Sequence, residues 1–473
     1  MKAKQSVIMI EFNELSPSLM FRFLGEGKLP NFQKLYQESQ AYLTEADAQP
    51  PTLNPWVQWV SVHAGVPYSE HGIRVLGEGH KLRQKCIWDV VSAAGGRVWV
   101  CGSMNSHYDV PLNGYFLPDP WTSAFPPTPD SLQPYFRFVQ QHVLEHTNER
   151  VPLSKADYLK FLSFMVKNGL SAETVGSIVQ QLSSESGKRN RWKRAMILDR
   201  LQFDLFRSCY RKLTPQFSTF FSNSTAHFQH SYWRNLEPDL FKVAPSSKEQ
   251  KEFENAILFG YQQMDKLIAG FLELADAETT LIFCTALSQQ PCLIYEEQGG
   301  KTFYRPHKFE NLLDFAGVSV PYEVSPVMAE QFHLIFETES AAQNAELRLR
   351  ALEVDGRAAI FARRNEAALY CGCAIFNRLP EDAVLHTGGA GRSAPFFNMF
   401  YHVEDTKSGM HHSDGLLWIR RPDRKSKVHS EKVPLMAIAP TALEVLGMPR
   451  PEHMRGLSLL HDQAEPALQP ARP

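Results

Sequence analysis

The stretch FSTFFSNSTAHFQHSYWR, residues 217–234, decides the fold class and marks a candidate site. Its first part is apolar and strand-like, and Asn223, His227 and His230 follow within a few residues. In an open α/β sheet, ligand-binding and catalytic residues commonly lie just past the carboxyl ends of the strands. Two histidines three residues apart can share one helix face and bind one metal ion. Spacing alone is weak evidence and is more typical of surface or hydrogen-bonded histidines, so both interpretations stay open here.

The composition is that of a globular protein without a strong electrostatic preference. The chain has 473 residues, of which 43% are hydrophobic and 21% charged, and its formal net charge is −2. This length suits one large α/β domain with insertions, or two or three domains. The small net charge predicts no nucleic-acid partner, and basic runs such as 188–194 are typical of solvated faces.

Cysteine usage and hydropathy bear on the compartment. The seven cysteines are an odd number and include no Cys-x-x-Cys pair, which favours reduced thiols. The short apolar run Val7–Ile10 is broken by Glu11 and predicts a buried strand rather than a secretion signal. No window of 18 apolar residues occurs, so we predict no membrane span and a cytoplasmic location.

Strand and helix patterns alternate in the first 125 residues, which indicates a parallel sheet covered on both faces. From 130 to 214 helical periodicity replaces strand signals, which predicts a helical insertion. Short strands and helices alternate over 300–395, which predicts a small α+β insertion or cap. The predicted α/β core comprises 1–129, 215–299 and 396–462, and residues 463–473 are predicted to be a disordered tail.

Several segments, taken together, resemble one known group of proteins. They include the opening strand and helix with Glu26–Asn31, the turn that holds Thr52 and Trp56, and the C-terminal segment 433–460. Together they resemble the alkaline phosphatase superfamily, and most closely its nucleotide pyrophosphatase/phosphodiesterase-like branch. The resemblance covers roughly 5–125, 215–295 and 400–460. It implies a three-layer sandwich with a mostly parallel central sheet and helices on both faces.

The resemblance also implies a mechanism. In this superfamily a Thr, Ser or modified Cys attacks a phosphorus or sulfur centre, and two divalent metals, usually zinc, assist it. The covalent intermediate is then hydrolysed or passed to an acceptor.

Carried over residue by residue, the implied site is incomplete. The nucleophile falls on Thr52, and the first Asp ligand falls on Asn13, with Glu11 and Glu14 nearby. The Asp-x-x-x-His ligand pair falls on Ala226 and His230, so its Asp is missing.

The remaining ligands of the resemblance are also altered. Its Ser-Asp-His-Gly motif falls on 285–288, which reads Thr-Ala-Leu-Ser, so both ligands of that motif are lost. Its late metal histidine falls on His411 or His412. His227 and Asn223 are the available substitutes for the missing groups.

This donor set carries too little negative charge for two zinc ions. We expect one divalent cation, zinc first, or a metal-free site in which imidazoles perform acid–base chemistry. The predicted site residues are Thr52, His227 and Asn13 as catalytic groups; Asn223, Glu11 and Arg234 as substrate contacts; and His230, His412 and His411 as metal ligands.

Three functions follow from the sequence. The first is hydrolysis or transfer of a phospho- or related ester of an anionic small molecule or glycan, through Thr52 and at most one metal. The second is a catalytically silent relative that binds an anionic ligand or a protein partner. The third is metal-independent group transfer with histidine as acid and base. Oligomeric state is not predictable from these patterns.

Overall fold

A computed structural model of the chain describes residues 5–122, 124–147, 153–185, 190–325, 331–388, 391–403 and 406–460. The tail 463–473, predicted to be disordered, lies outside the described residues. All seven cysteines are buried and form no disulfide. No helix among the described residues is long and apolar enough to cross a bilayer.

The strands are numbered in chain order within the described residues. They are β1 (Ser6–Phe12), β2 (Gln40–Glu45), β3 (Val98–Cys101), β4 (Gly114–Leu117), β5 (Phe217–Ser222), β6 (Thr279–Cys284), β7 (Ser288–Pro291), β8 (Phe303–Pro306), β9 (Tyr322–Ser325), β10 (Phe332–Phe336), β11 (Leu352–Val354), β12 (Arg357–Ala358), β13 (Ile360–Asn365), β14 (Ala368–Cys373), β15 (Val384–Thr387), β16 (Ser393–Pro395), β17 (Phe400–Val403), β18 (Gly409–His412), β19 (Asp414–Arg420), β20 (Lys427–Val428) and β21 (Val433–Pro434).

The α-helices follow the same rule. They are α1 (Pro17–Gly25), α2 (Pro30–Gln37), α3 (Pro55–Ala64), α4 (Tyr68–His71), α5 (Ile87–Ala93), α6 (Gln133–Thr147), α7 (Lys155–Lys167), α8 (Ala172–Ser184), α9 (Ala195–Leu213), α10 (Ser224–Leu236), α11 (Ser247–Phe253), α12 (Ala256–Leu274), α13 (Phe309–Ala316), α14 (Glu339–Arg350), α15 (Phe396–Met399) and α16 (Ile438–Val445).

The central sheet has nine strands in the order β20-β2-β19-β6-β1-β5-β3-β4, and β21 also pairs with β2. Among the described strands of this sheet, only β19 runs antiparallel to its neighbours, β2 and β6. The pairs formed by β1, β3, β4, β5 and β6 with one another are all parallel. The mostly parallel sheet expected from the sequence is therefore confirmed.

Both faces of this sheet are covered, because successive side chains of a strand point to opposite faces. Ile8 and Ile10 enter one apolar cluster together with residues of α1, α2, α9, α10 and α12. Val7 and Met9 enter a second cluster with residues of α3, α5 and α16. The predicted three-layer arrangement of helix, sheet and helix is thus confirmed.

The two predicted insertions differ in how they bury apolar surface. Within its described part, 130–214 contains helices α6 to α9 and no strand, and its side chains share the α9-side core of the central sheet. The segment 300–395 instead builds two four-stranded antiparallel sheets with α13 and α14. Those sheets surround an apolar cluster of their own. A division into domains at the boundaries given above stays a prediction.

Burial of the Asp199 carboxyl on α9 makes the stability of the protein depend on pH. Burial raises the pKa of its carboxyl from 3.8 to about 7, although Ser224 and Ser222 hydrogen-bond to it. The folded chain therefore keeps this proton as the pH rises, whereas the unfolded chain loses it near its ordinary pKa. This group's stability contribution is complete below the unfolded pKa and is lost as the pH rises through the folded pKa.

We expect Asp199→Asn to gain stability relative to the wild type as the pH rises from 4 to 8, by about 2–4 kcal/mol. The neutral amide keeps the shape of the carboxyl and never bears the buried charge. Urea unfolding of both proteins across this pH range measures the difference. Asp382→Asn, at an exposed position, is the control, and a pH-independent difference for Asp199→Asn would contradict the argument.

Candidate metal centre

The site begins where two parallel strands end side by side. β1 and β5 pair with Phe12 opposite Ser222, so the residues after them meet at the carboxyl edge of the sheet. The Asn13 backbone N–H donates to the Ser222 carbonyl at 2.9 Å. The Asn13 side-chain Nδ2 donates to Asn223 Oδ1 at 2.7 Å. Helix α10 then starts at Ser224 and carries the site away from the sheet.

A short two-stranded ribbon closes the other side of the site. β18 pairs antiparallel with β7 and sets His411 opposite Gln289. The ribbon lies against α10, because the Ser408 backbone N–H donates to the His230 carbonyl at 2.8 Å. This contact brings His411 and His230 to the same place.

Three side chains converge between these elements. Glu14 Oε2 lies 3.1 Å from His230 Nε2 and 3.5 Å from His411 Nε2. All three potential ligand atoms lie within 4.8 Å of one another. Glu14 is 2% exposed as a side chain, whereas His230 is 32% and His411 is 22% exposed. The cluster is therefore anchored in the interior and open to solvent on its histidine side.

Backbone carbonyls set the orientation of both imidazoles. His230 Nδ1 lies 3.1 Å from the Gly409 carbonyl oxygen, and His411 Nδ1 lies 2.8 Å from the Leu53 carbonyl oxygen. A carbonyl oxygen can only accept, so each Nδ1 carries the proton. In the neutral imidazoles the Nε2 lone pairs therefore face the Glu14 carboxylate. Such a backbone partner on the outer nitrogen is typical of metal-binding histidines.

The surroundings of Glu14 and His411 shift the pKa values of both groups. Burial opposes the charge on Glu14, but His411, His230 and Gln289 outweigh it and lower the pKa of the carboxyl to about 2. Burial lowers the pKa of His411 to about 4, against the attraction of Glu14. Near neutral pH a carboxylate therefore faces the unprotonated nitrogen of His411. Acceptors that converge in this way are stabilised by a cation between them.

Two glutamines and an unusual backbone conformation hold Glu14 in place. Gln289 Nε2 donates to Glu14 Oε2 at 2.5 Å, and Gln229 Nε2 donates to the Glu14 carbonyl at 2.6 Å. Glu14 itself has φ 61°, in the left-handed region. A non-glycine residue there is strained, and such strain concentrates at functional sites. The turn after β1 thus aims the carboxylate at the two imidazoles.

Asn13 acts as a support rather than a ligand in this geometry. Trp59 Nε1 donates to Asn13 Oδ1 at 2.8 Å, and an indole N–H can only donate. The Asn13 amide group must therefore point its Nδ2 at its acceptors, and it reaches Glu14 Oε1 at 2.8 Å. Asn13 thus links Trp59 and Asn223 to the carboxylate.

Gly409 makes the close approach of the ribbon possible. A Cβ added there would lie 2.5 Å from the Gln229 carbonyl oxygen and would also meet Gln289 Oε1. We expect Gly409→Ala to push β18 away from α10 and to separate the Gly409 carbonyl from His230. Loss of such a partner typically weakens metal affinity by about 10–100-fold.

Isothermal titration with zinc measures the effect of Gly409→Ala. Gly176→Ala is the matched control, since a Cβ at that position of α8 meets nothing within 4 Å. Equal affinity of both variants and the wild type would refute the role assigned to Gly409.

The other predicted residues fall in different places. Thr52 is partly exposed and lies in the loop before α3, next to Leu53, whose carbonyl binds His411. The Thr52 hydroxyl donates to the Gln49 carbonyl at 2.8 Å. His227 is exposed on α10, one turn before His230. The sequence analysis assigned one site to the loop of Thr52, α10 and β18. In the structure these three segments meet at the cluster of Glu14, His230 and His411.

Two predicted contacts and one predicted ligand are engaged elsewhere. Glu11 is fully buried on the α3 side of the sheet, where its Oε1 lies 3.0 Å from His63 Nε2. Arg234 forms a buried ion pair with Glu296 at 2.7 Å. His412 follows His411 in β18, and its Nδ1 accepts the Asp414 backbone N–H at 3.1 Å, so it is outside the cluster. Glu11 and Arg234 thus both have partners within the protein, and their contact with a substrate stays a prediction.

Apolar side chains occupy the three positions at which the resemblance implies missing ligands. Ala226 is 2% exposed, and Ala286 and Leu287 are fully buried. Ala286 and Leu287 both belong to the apolar cluster on the α3 side. A second metal therefore has no donor at any of these three positions.

The carboxylate of this cluster belongs to Glu14, one residue after Asn13, the position on which the resemblance places the first Asp ligand. Glu14 was noted only as a neighbour of Asn13, because the resemblance aligned the family's Asp with Asn13. The available signal was the charge itself, since Glu14 is an ionisable group directly after a buried strand. Gln289 could not be identified, because Ser-Gln-Gln-Pro has no strand pattern.

No protein-family model matches the chain, and no curated protein matches it either. Among solved structures, the chain is similar to human ectonucleotide pyrophosphatase/phosphodiesterase 5, with a TM-score of 0.44 and 10% identity over 95% of this chain and 96% of that chain.

Two further structures are similar to a comparable degree. One is phosphonoacetate hydrolase from Sinorhizobium meliloti 1021 in complex with phosphonoformate, with a TM-score of 0.42 and 11% identity over 94% of this chain and 96% of that chain. The other is an inactive murine ectonucleotide pyrophosphatase/phosphodiesterase 5 in complex with AMP, with a TM-score of 0.41 and 9% identity over 95% of this chain and 97% of that chain.

Proposed function

We propose that this protein is a hydrolase or transferase of phosphate or related esters that uses one divalent cation, with zinc as the first candidate. Glu14, His230 and His411 would hold the cation, and Thr52 would be the nucleophile. The observation that carries the proposal is the convergence of one carboxylate oxygen and two imidazole Nε2 atoms within 4.8 Å.

The donor set fits zinc in kind and number. Two histidines and one glutamate, with a further position open to solvent, form a ligand set known from zinc hydrolases. A cation bound there would polarise an ester oxygen and offset negative charge that develops at the reacting centre. Because a single carboxylate is available among the converging donors, one divalent cation leaves the site with net positive charge, which suits an anionic ester.

Groups of the chain around the cluster support substrate binding. Lys407 lies close enough to help lower the pKa of His411, so its ammonium adds positive charge at the edge of the site. The Thr52 hydroxyl donates its proton to Gln49 and keeps its lone pairs for another partner. Its neighbour Leu53 fixes the loop to His411.

The central experiment is a metal titration of the purified chain followed by an activity panel. We expect one equivalent of zinc in the wild type and none in His230→Ala. The panel consists of chromogenic phosphomonoester, phosphodiester and sulfate ester substrates, assayed with and without chelator. Failure of the chain to bind zinc, manganese or cobalt would overturn the proposed cofactor.

The contact between His230 and Glu14 also favours a second candidate. At 3.1 Å an imidazolium would donate Nε2–H to the carboxylate without any metal. The protein would then transfer groups by histidine acid–base chemistry. Turnover that chelators leave unchanged and that His230→Ala abolishes would favour this candidate over the first.

Thr52 is tested by two substitutions. Thr52→Ala is expected to reduce kcat by at least about a thousandfold, because removal of a nucleophile abolishes the covalent step. Thr52→Ser keeps a hydroxyl and should retain measurable turnover. Both variants should bind zinc like the wild type, because Thr52 is not a ligand. Equal kcat for Thr52→Ala and the wild type would remove Thr52 from the mechanism.

A further inference from the structure

Helix α7 exposes an apolar face to solvent in the described part of the chain. Leu159 is 67%, Leu162 51% and Val166 64% exposed. They stand three and four residues apart, so they form one stripe along the helix. Tyr158, which is 51% exposed, lies beside them.

Helix α8 repeats the pattern. Val175, Val179 and Leu182 are exposed at spacings of four and three residues. Among the described residues sixteen large apolar side chains are exposed, and seven of them lie on α7 and α8. Single exposed apolar residues are normal on a protein surface, whereas a contiguous group marks an interaction site.

The exposed stripes are not required to hold the helices in place. The opposite face of α7 buries Phe161, Phe164 and Met165 in the core. The Phe161 ring stacks on that of Phe138 of α6, with 3.9 Å between the ring centres. The turn into α8 is fixed on α9, since the Ser171 backbone N–H donates to Asp204 Oδ2 at 2.8 Å. The outer stripes are therefore additional apolar surface on an already anchored insertion.

The charges around the α7 stripe are basic. Lys155, Lys160 and Lys167 are exposed on α7, and none forms an ion pair with a described residue. The acidic Asp157 is engaged at the helix N-terminus, where the Ser154 hydroxyl donates to it at 2.6 Å. On α8, Glu173 faces Arg200 at 3.3 Å. Asp157 keeps its charge and attracts Lys160, so α7 carries three lysines against one carboxylate and its net charge is positive.

An exposed apolar stripe beside several lysines favours one kind of partner. In a symmetric contact between two copies, the same lysines would confront each other across the apolar stripe. The interface of a bilayer instead accepts aliphatic side chains into its acyl boundary and lysines among anionic headgroups. Tyr158 suits the same interface, because its ring is apolar and its hydroxyl is polar.

We propose that the outer faces of α7 and α8 bind the surface of bilayers that contain anionic lipids. The inference is independent of the metal centre. Binding would be peripheral. It would place the insertion, rather than the central sheet, against the lipid.

Vesicle flotation of the full chain tests the proposal. We expect the wild type to float with vesicles of phosphatidylcholine and phosphatidylglycerol, and to bind them at least about tenfold more strongly than pure phosphatidylcholine, because several lysines add electrostatic attraction. High salt should weaken the binding. Leu162→Gln/Val166→Gln and, separately, Lys160→Glu/Lys167→Glu should each reduce it by about tenfold or more.

Leu347→Gln is the matched control, since Leu347 is also 67% exposed but lies on α14. Circular dichroism establishes that each variant is folded. If Leu162→Gln/Val166→Gln does not fold, Lys160→Glu/Lys167→Glu still tests the proposal. The proposal is overturned if the wild type does not float, or if it binds both vesicle types equally. It is also overturned if the wild type dimerises and Leu162→Gln/Val166→Gln makes it monomeric, because a second copy would then be the partner.

Discussion

Glu14→Gln is expected to abolish binding of the divalent cation while the chain stays folded. The substitution keeps the size of the side chain and removes the only carboxylate among the converging donors. Loss of a group that merely supports a ligand typically weakens metal affinity by about 10–100-fold, so loss of a charged ligand should exceed about 100-fold. The catalytic activity of the first proposed function should disappear with the metal.

Two adjacent histidines supply a matched comparison for this result. His411→Ala should lose the cation as Glu14→Gln does, because His411 Nε2 lies 3.5 Å from Glu14 Oε2. His412→Ala should keep it, because His412 hydrogen-bonds to the Asp414 backbone instead. Isothermal titration and elemental analysis measure all three variants. Retention of zinc by Glu14→Gln, or its loss in His412→Ala, would mean that the ligand set is different.

Arg234→Met is expected to destabilise the protein by about 3–5 kcal/mol. The Arg234 guanidinium contacts both carboxylate oxygens of Glu296, at 2.7 and 3.0 Å, and it lies 4.3 Å from the centre of the Phe241 ring. Both side chains are nearly inaccessible, at 6% and 5% exposure. Removal of one partner leaves a buried charge without compensation, which costs more than the pair contributes.

A second substitution separates a structural role from substrate recognition. In Arg234→Met/Glu296→Gln the remaining charge is neutralised, and most of the lost stability should return. The amide oxygen can still accept the Val243 backbone N–H, which Glu296 accepts at 3.0 Å. Urea unfolding gives the free energies, and KM measured on folded protein should be unchanged. A stable Arg234→Met variant with a raised KM would restore Arg234 to the substrate site.

The main strands were readable from the sequence because their signal is local. The apolar runs of β1, β5 and β6 are buried on both sides, and the polar residues after them mark the carboxyl edge of a parallel sheet. This is why His230 was identified as a candidate ligand directly from its stretch. The helical character of 130–214 was equally clear, since no strand pattern interrupts it.

The rest of the site depends on long-range register and on side-chain direction. Whether His411 or His412 faces inward is decided by the pairing of β18 with β7, and the polar β7 is not recognisable as a strand. Glu11 shares the strand parity of Val7 and Met9, but the sequence does not tell which helical layer that parity faces. Glu14 reaches the imidazoles through a left-handed backbone that no local pattern predicts.

The proposed ligands at positions 14, 230 and 411 come from the beginning, the middle and the end of the chain. A cation bound there would join all three segments and act as a reversible cross-link in place of a disulfide. Its coordination would be among the last steps of folding, because no fragment contains the complete set. At a metal concentration about a hundred times the dissociation constant, mass action would add roughly 2.7 kcal/mol to stability. Cellular metal supply would then set how long the protein persists, as well as whether it reacts.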